Sequence, residues 1–190
     1  MAHDFIVTTA FGLEAVTRRE LAELGYAGQV IAPGWIRFAG ELAAVCRANV
    51  WLRTANRVLV QVATFPAADF DTLFDTTRAL AWHAWVPADG AIPVAGRSIK
   101  SQLSSVPACQ RTVKKAIVES LRQAYRTSEL PETGAVYKIE VPILNNQVTL
   151  PLDTTGPSLH RRSYRPSEAR TPLRETLAAA LVLLSFWERD

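Results

Sequence analysis

The first third of the chain alternates between two periods of hydrophobic and polar residues. Short β-branched or aromatic runs indicate strands, and apolar residues three or four apart, as at Leu13, Val16, Leu21 and Leu24, indicate helices. Turn residues separate them, with Gly25 placed to end the first helix and Pro33-Gly34 between two strands. The predicted strands are at 5–9, 30–31, 35–38 and 58–65, and the predicted helices are at 13–24 and 41–52.

The resulting β-α-β-β-α-β order is typical of a ferredoxin-like unit, which can fold alone as a small two-layer domain. A joint at 66–68 separates it from a second region. There we predict a helix from Asp69 towards Trp82, a strand near 92–95, a helix at 107–125 and a hairpin at 136–141 and 147–151. The whole pattern belongs to the α+β class. We expect all five tryptophans to be core residues because each falls in an apolar segment.

A final helix differs from the others because it is apolar on every face. Thr171 is suited to the N-cap and Pro172 to the first turn, and the apolar stretch runs from Leu177 to Trp187. A helix of this kind must be buried on all sides. Two explanations stay open: the helix pairs with a second copy of the chain to form a dimer, or it belongs to a further domain, which we favour.

Positive charge is concentrated rather than abundant. The net charge is only +3 at pH 7, but residues 95–127 contain seven basic residues and one acid, a net +6. At 100° per residue, one side of the predicted helix is basic and the other apolar. The basic side holds Arg111, Lys114, Lys115, Arg122 and Arg126, and the apolar side holds Val113, Ala116, Ile117, Leu121 and Ala124. Evenly spaced cations suit a phosphate backbone, although a solvated helix face is the alternative.

A second basic cluster lies between residues 160 and 174. It contains His160, Arg161, Arg162, Arg165, Arg170 and Arg174 around Tyr164, with Glu168 as the one acid. Arginine forks fit phosphates, and a tyrosine can stack on a base. The alternative is a linker whose arginines make local ion pairs.

Patterns typical of a catalytic centre are missing from the sequence. No Gly-x-Gly or phosphate-loop motif occurs, so a dinucleotide or phosphate loop of that type is excluded, and the three histidines lack metal-ligand spacing. The two isolated cysteines fit a reducing compartment. With no signal-peptide pattern and no apolar run of about 18 residues, we expect a soluble, cytoplasmic protein without a membrane partner.

Three stretches resemble the N-terminal half of the THUMP-containing RNA guanine-N2 methyltransferases that act on 23S ribosomal RNA. They are FIVTTAFGLEAVTRRELAELGY at the start, VYKIEVPILNNQVTLPLDTTGPSLHRRSYR, and TPLRETLAAALVLLSFW at the end. The first is similar to that family's opening strand and helix, the second to the end of a THUMP domain, and the third to the helix that opens the methyltransferase domain.

The resemblance implies a ferredoxin-like domain at 1–66, a THUMP RNA-binding domain at 67–160, and a linker with the first helix of a Rossmann-like methyltransferase domain at 161–190. S-adenosylmethionine would be the cofactor of the parent enzyme, bound by motifs after Asp190, and this chain alone would be inactive. The partner would be structured RNA, expected to be ribosomal. A freestanding RNA-binding adaptor and the THUMP part of another enzyme, such as a thiouridine synthetase, remain alternatives. The candidate RNA-binding residues are Arg97, Lys100, Arg111, Lys114, Lys115, Arg122, Arg161, Arg162, Tyr164 and Arg165.

Overall fold

The computed structural model describes residues 2–162 and 173–185. The chain forms two compact units, of which unit 1 comprises Met1–Val60 and Thr154–Asp190 and unit 2 comprises Gln61–Asp153. This division differs from the expected boundaries at both ends of the second domain, since residues 61–66 belong to unit 2 and residues 154–160 belong to unit 1. Unit 1 is therefore built from two stretches of chain that are far apart in sequence.

Unit 1 contains a four-stranded antiparallel sheet with the order β2-β3-β1-β4. Its elements are β1 (His3–Thr9), α1 (Glu14–Glu23), β2 (Gln29–Ala32), β3 (Trp35–Gly40), α2 (Ala43–Trp51), the first part of β4 (Ala55–Pro66), and a last helix at Glu175–Leu184. Phe5 and Phe38 lie on paired strands with ring centroids 5.2 Å apart, and both are buried. The predicted β-α-β-β-α-β order is thus confirmed.

Unit 2 contains the end of β4 and three further strands, in the order β4-β7-β6-β5. Its elements are α3 (Phe70–Ala79), a 3₁₀ turn (Trp82–Ala84), β5 (Val94–Ile99), α4 (Val106–Tyr125), β6 (Ile139–Leu144) and β7 (Gln147–Asp153). The strands β5 and β6 are parallel, and β6 and β7 form the predicted antiparallel hairpin. Helix α4 packs against α3 and β5, which places the sheet and both helices in one layered unit.

Helix α5 (Glu175–Leu184) begins later than expected, with Arg174 at its N-cap. The predicted cap Thr171 and Pro172, and the terminal Phe186 and Trp187, lie outside the described residues. Of the helix itself, Thr176 and Ala180 are buried, whereas Leu181, Val182 and Leu184 are each at least half exposed. One face of α5 therefore packs on the rest of unit 1, and the exposed apolar side chains leave both sequence-based explanations open, a second copy of the chain or a further domain.

Two expectations about burial are wrong. Trp51 is 65% exposed, because it ends α2 and the extended residue after it, Leu52, takes the buried position. Ala124 is also exposed, because the buried face of α4 ends at Leu121, one turn before the helix does. Trp35 and Trp82 are buried as expected.

Candidate nucleic-acid interface

The basic side of α4 is exposed and its apolar side is buried. Val113, Ala116, Ile117 and Leu121 have almost no exposed surface and fix the rotation of the helix in unit 2. Arg111, Lys115, Arg122 and Arg126 consequently point to solvent. We call these four residues the α4 basic face. The rotation predicted from the sequence is confirmed for them, whereas their contact with RNA stays a prediction.

Lys114 belongs to the same helix but is engaged within unit 2. Its Nζ lies 2.9 Å from Oε1 and 3.0 Å from Oε2 of Glu132. The same carboxylate accepts a 3.4 Å hydrogen bond from the backbone N–H of Ile92. Lys114 therefore ties the 127–134 loop to α4, and we leave it out of the α4 basic face.

Lys115 makes weaker contacts. Its side chain is 72% exposed, and its Nζ lies 3.9 Å from the Glu119 carboxylate and 5.4 Å from the centroid of the Phe74 ring. A pair at that distance and exposure contributes little to stability. The ammonium group can therefore exchange these contacts for a phosphate at small cost.

Arg97 and Lys100 lie at the edge of the same unit. Arg97 is exposed on the edge strand β5, and Lys100 follows that strand with a left-handed backbone, φ 50°. The loop after β5 is fixed by hydrogen bonds, since Ser98 Oγ donates to the Leu103 carbonyl and Gln102 N–H donates to Asn146 Oδ1. Both cations are therefore presented by ordered backbone.

Arg162, a member of the second basic cluster, has a structural role in unit 1. Its guanidinium donates to the carbonyls of Asn49, Val50 and Leu52 at 3.2, 3.0 and 2.6 Å. These carbonyls lie at the C-terminal end of α2, where helical carbonyls lack partners within the helix. Nε donates in addition to the Leu159 carbonyl at 3.2 Å. Because its donors are used in this way, Arg162 is not part of the RNA surface proposed below.

The Asp-Thr-Thr-Gly turn at 153–156 holds the returning chain on unit 1. Thr154 Oγ1 donates to the Val58 carbonyl at 2.7 Å, and Thr155 Oγ1 donates to Asn49 Oδ1 at 2.9 Å and accepts from Val58 N–H at 2.8 Å. Gly156 has φ 68°, a conformation that favours glycine. The motif that carried part of the resemblance is thus a structural clasp.

Beyond this turn, Arg161 is exposed and His160 is partly buried, with its Nδ1 2.7 Å from Ser158 Oγ. Burial and then the positive charges of Arg174, Arg161 and Arg57 lower the pKa of His160, against the opposing effect of Glu175. Tyr164 and Arg165, the remaining candidates, lie outside the described residues.

The sequence did not identify Arg57, which lies in the first part of β4, as a neighbour of the second basic cluster. Its Nη1 donates to the Gly156 carbonyl at 2.8 Å across nearly a hundred residues of sequence. A lone arginine at the start of a strand carries no local signal of such a contact, so the sequence alone could not have revealed it.

An open cavity of about 590 Å³ lies in unit 1 beside Arg162. Apolar groups such as Trp51 and Leu159 line it together with Glu20 and Arg53. The Glu20 carboxylate is 3% exposed but accepts hydrogen bonds from Arg53 and Thr54. Glu20 and Arg53 in the cavity lining are therefore engaged with one another and stabilise unit 1.

Among residues 2–162 and 173–185, no group of three or more histidine, cysteine or acidic side chains is arranged to hold a metal ion. No helix in the described part of the chain is long and apolar enough to cross a membrane.

Two family models match this chain in succession. Residues 4–59 match the RlmL ferredoxin-like domain, and residues 67–153 match the THUMP domain. The expected fold class, a ferredoxin-like domain followed by a THUMP domain, is therefore confirmed.

Curated relatives carry the names of RNA methyltransferases. The putative RNA methyltransferase YpsC of Bacillus subtilis is 48% identical over 99% of this chain and 49% of its own length. The ribosomal RNA large subunit methyltransferase K/L of Marinobacter nauticus is 35% identical over 97% of this chain and 26% of its own length. The chain thus spans about half of the first of these relatives and about a quarter of the second.

Solved structures agree with this fold. A predicted N6-adenine-specific DNA methylase from Listeria monocytogenes is 49% identical, with a TM-score of 0.93 over 98% of this chain and 49% of that one. The putative methyltransferase SMU.472, complexed with SAH, is 39% identical, with a TM-score of 0.91 and the same coverage. The name of the first structure specifies DNA and the N6 position of adenine, whereas the name of the second states no nucleic acid.

Proposed function

We propose that this chain, which belongs to the family that joins an RlmL ferredoxin-like domain to a THUMP domain, is the RNA-binding part of an S-adenosylmethionine-dependent RNA methyltransferase. The observation that carries the proposal is the α4 basic face, an exposed row of cations within the THUMP domain. Each phosphate bound by such a row releases condensed counterions, which favours association with RNA.

The proposed substrate is ribosomal RNA, methylated at the exocyclic N2 of a guanine. Support comes from the name of the Marinobacter nauticus relative and from the resemblance in three stretches of sequence. RNA is preferred over DNA because the curated relatives are named as RNA methyltransferases. The role of this chain is to hold the RNA, and the methyl transfer itself belongs to another part of the protein.

S-adenosylmethionine does not fit the described residues. Each of their strand-to-helix turns, at 10–13, 41–42, 67–69 and 100–105, holds at most one glycine, whereas the resemblance implies a cofactor loop that is rich in glycine. We therefore place the cofactor in a catalytic domain elsewhere in the protein, where it would supply the methyl group. The exposed apolar side chains of α5 suit packing against that domain.

The test is a titration of the chain with structured ribosomal RNA over a series of salt concentrations. The association constant should fall steeply as salt rises, with a logarithmic slope of roughly 0.9 per phosphate contacted. The double variant Lys115→Glu/Arg122→Glu should weaken binding by about tenfold or more and reduce that slope.

The matched control is Arg37→Glu/Arg47→Glu, which makes the same change in net charge within unit 1. It should bind nearly as wild type does, and both variants should keep the thermal unfolding temperature of the wild type within a few degrees. Equal loss of affinity in both variants would mean that RNA binding depends on the net charge of the chain and not on the α4 basic face. Failure of the wild-type chain to bind RNA at low salt would contradict the proposed function.

A further inference from the structure

We propose that Arg57, Arg161 and Arg174 form a second site for RNA phosphates, located in unit 1. We call these three residues the arginine cluster. The inference rests on the proposed RNA-binding function and extends it from the α4 basic face to the ferredoxin-like unit.

The arginine cluster is brought together at Asn56. The Asn56 carbonyl accepts hydrogen bonds from Leu159 N–H at 2.9 Å and Ser158 Oγ at 3.0 Å, and its Oδ1 lies 3.4 Å from Thr176 Oγ1. Three segments of the chain therefore meet at this one residue: the start of β4, the segment after the Asp-Thr-Thr-Gly turn, and the first turn of α5.

Each arginine lies one or two residues from one of these contacts. Arg57 follows Asn56, Arg161 is two residues after Leu159, and Arg174 is two residues before Thr176. Since consecutive Cα atoms are about 3.8 Å apart, all three residues are attached close to one point. Arg57 is also anchored by its 2.8 Å hydrogen bond to the Gly156 carbonyl.

The environment of His160 is consistent with this convergence. Burial is the largest cause of its lowered pKa, and the charges of Arg174, Arg161 and Arg57 all add to the effect. Three guanidinium groups from separate segments thus act on a single imidazole. Within the described residues, Arg161 and Arg174 make no ion pair with a carboxylate.

Glu175 is the acid that opposes these charges at His160, but its carboxylate also accepts the backbone N–H of Arg162 at 3.0 Å. Arg161 and Arg174 alone carry two positive charges against the one negative charge of Glu175, so the arginine cluster keeps an excess of positive charge. Like charges held together repel one another, and an anion that binds between them relieves the repulsion. Guanidinium forks pair with phosphate oxygens in a bidentate manner, and a backbone of closely spaced phosphates can engage several of them.

The test compares Arg161→Gln/Arg174→Gln with Arg37→Gln/Arg47→Gln, in which unit 1 loses the same charge. Arg57 is kept because its hydrogen bond to Gly156 supports the fold. Hairpin RNA is titrated into wild type, both variants and the α4 variant Lys115→Glu/Arg122→Glu over a salt series. The cluster variant should bind about tenfold more weakly, with a salt slope smaller by about 2, and the control should not change.

The outcomes separate this inference from the proposed function. If the α4 variant binds weakly while the cluster variant binds as wild type, the arginine cluster is not an RNA site and the proposed function stands. If wild type does not bind, both fail. Binding of polyglutamate that the cluster variant loses, with RNA affinity unchanged, would assign the cluster to an acidic protein and overturn the inference. Should the double variant unfold at a lower temperature, the single exposed change Arg161→Gln repeats the comparison.

Discussion

Arg162 shows how one side chain can satisfy several backbone groups at once. A planar guanidinium presents its N–H groups in a rigid fork, and in unit 1 that fork spans the carbonyls of Asn49, Val50 and Leu52. An ammonium group would carry the same charge but could not reach all three carbonyls in this geometry.

Arg162→Lys should therefore lower the free energy of unfolding by about 1–3 kcal/mol, because carbonyls at the end of α2 lose their partner. The matched change Arg161→Lys, at an exposed position, should have almost no effect on stability. Denaturant titration of both variants measures the difference. Equal stability of the two, together with weaker RNA binding by Arg162→Lys, would show that Arg162 contacts RNA instead.

Glu14 fixes the start of α1 to the turn between β2 and β3. Its Oε1 accepts a 2.6 Å hydrogen bond from Gly34 N–H, and Gly34 has φ 73°. The pKa of Glu14 is lowered mainly by a hydrogen bond from its own backbone N–H, then by that from Gly34, with burial acting in the opposite direction. The ionised carboxylate is therefore the form that the folded protein favours.

A carboxyl whose pKa is lower in the folded state adds stability above its unfolded pKa and loses it as the pH falls through the folded value. Glu14→Gln should thus lower the unfolding temperature at neutral pH, and the gap from wild type should shrink below about pH 4. Thermal unfolding over a pH series measures this, with Glu23→Gln on the same helix as control. A gap that stays constant with pH would exclude the ionised carboxylate as its source.

At the scale of elements, α4 combines two tasks on adjacent residues. Lys114 joins the helix to Glu132, and Lys115 points to solvent. Helical periodicity predicted which side of α4 is buried, because that follows from spacing alone. It could not separate these two lysines, because the partner of Lys114 comes from a loop eighteen residues further along the chain.

Lys114→Gln should lower the unfolding temperature and change RNA affinity little. Lys115→Gln should weaken RNA binding and leave the unfolding temperature nearly unchanged. The reason is that the Lys114–Glu132 pair is short and partly buried, while Lys115 is exposed and weakly held. Both variants remove one charge, so each serves as the control for the other. Similar losses of RNA affinity in both variants would show that Lys114 contacts RNA together with the α4 basic face.

The elements themselves were largely predictable, and their contacts were not. Alternation and helical spacing predicted the order of strands and helices in both units, since each pattern is local. The burial of Leu52 in place of Trp51 depends on how α2 ends, and the hydrogen bond from Arg57 to Gly156 depends on a segment distant in sequence. Spacing along the chain carries no information about either.

At the scale of the whole molecule, the net charge of +3 conceals a segment with a net charge of +6. Binding to a polyanion follows the local arrangement rather than the total, because charges beyond about 10 Å are largely screened at 0.1 M salt. An RNA-binding role is therefore compatible with a nearly balanced composition.

The protein that contains this chain and a catalytic domain should transfer labelled methyl groups from S-adenosylmethionine to guanine in ribosomal RNA. The chain of 190 residues alone should bind the RNA but transfer none. Nuclease digestion and chromatography of the product would identify the methylated nucleoside. Incorporation by the chain alone would contradict the proposed division of labour, and methylation of adenine would contradict the proposed base.

Unit 1 is interrupted in sequence by the whole of unit 2. The Leu52 carbonyl accepts its hydrogen bond from Arg162, which is synthesised 110 residues later. The Val58 N–H donates to Thr155 Oγ1, which is synthesised 97 residues later. During translation the N-terminal stretch emerges first but lacks its clasp, so contacts that close so long a loop form late. We therefore expect the ferredoxin-like unit to gain its final stability only after the THUMP domain has left the ribosome, which makes the inserted domain the earlier of the two to complete its fold.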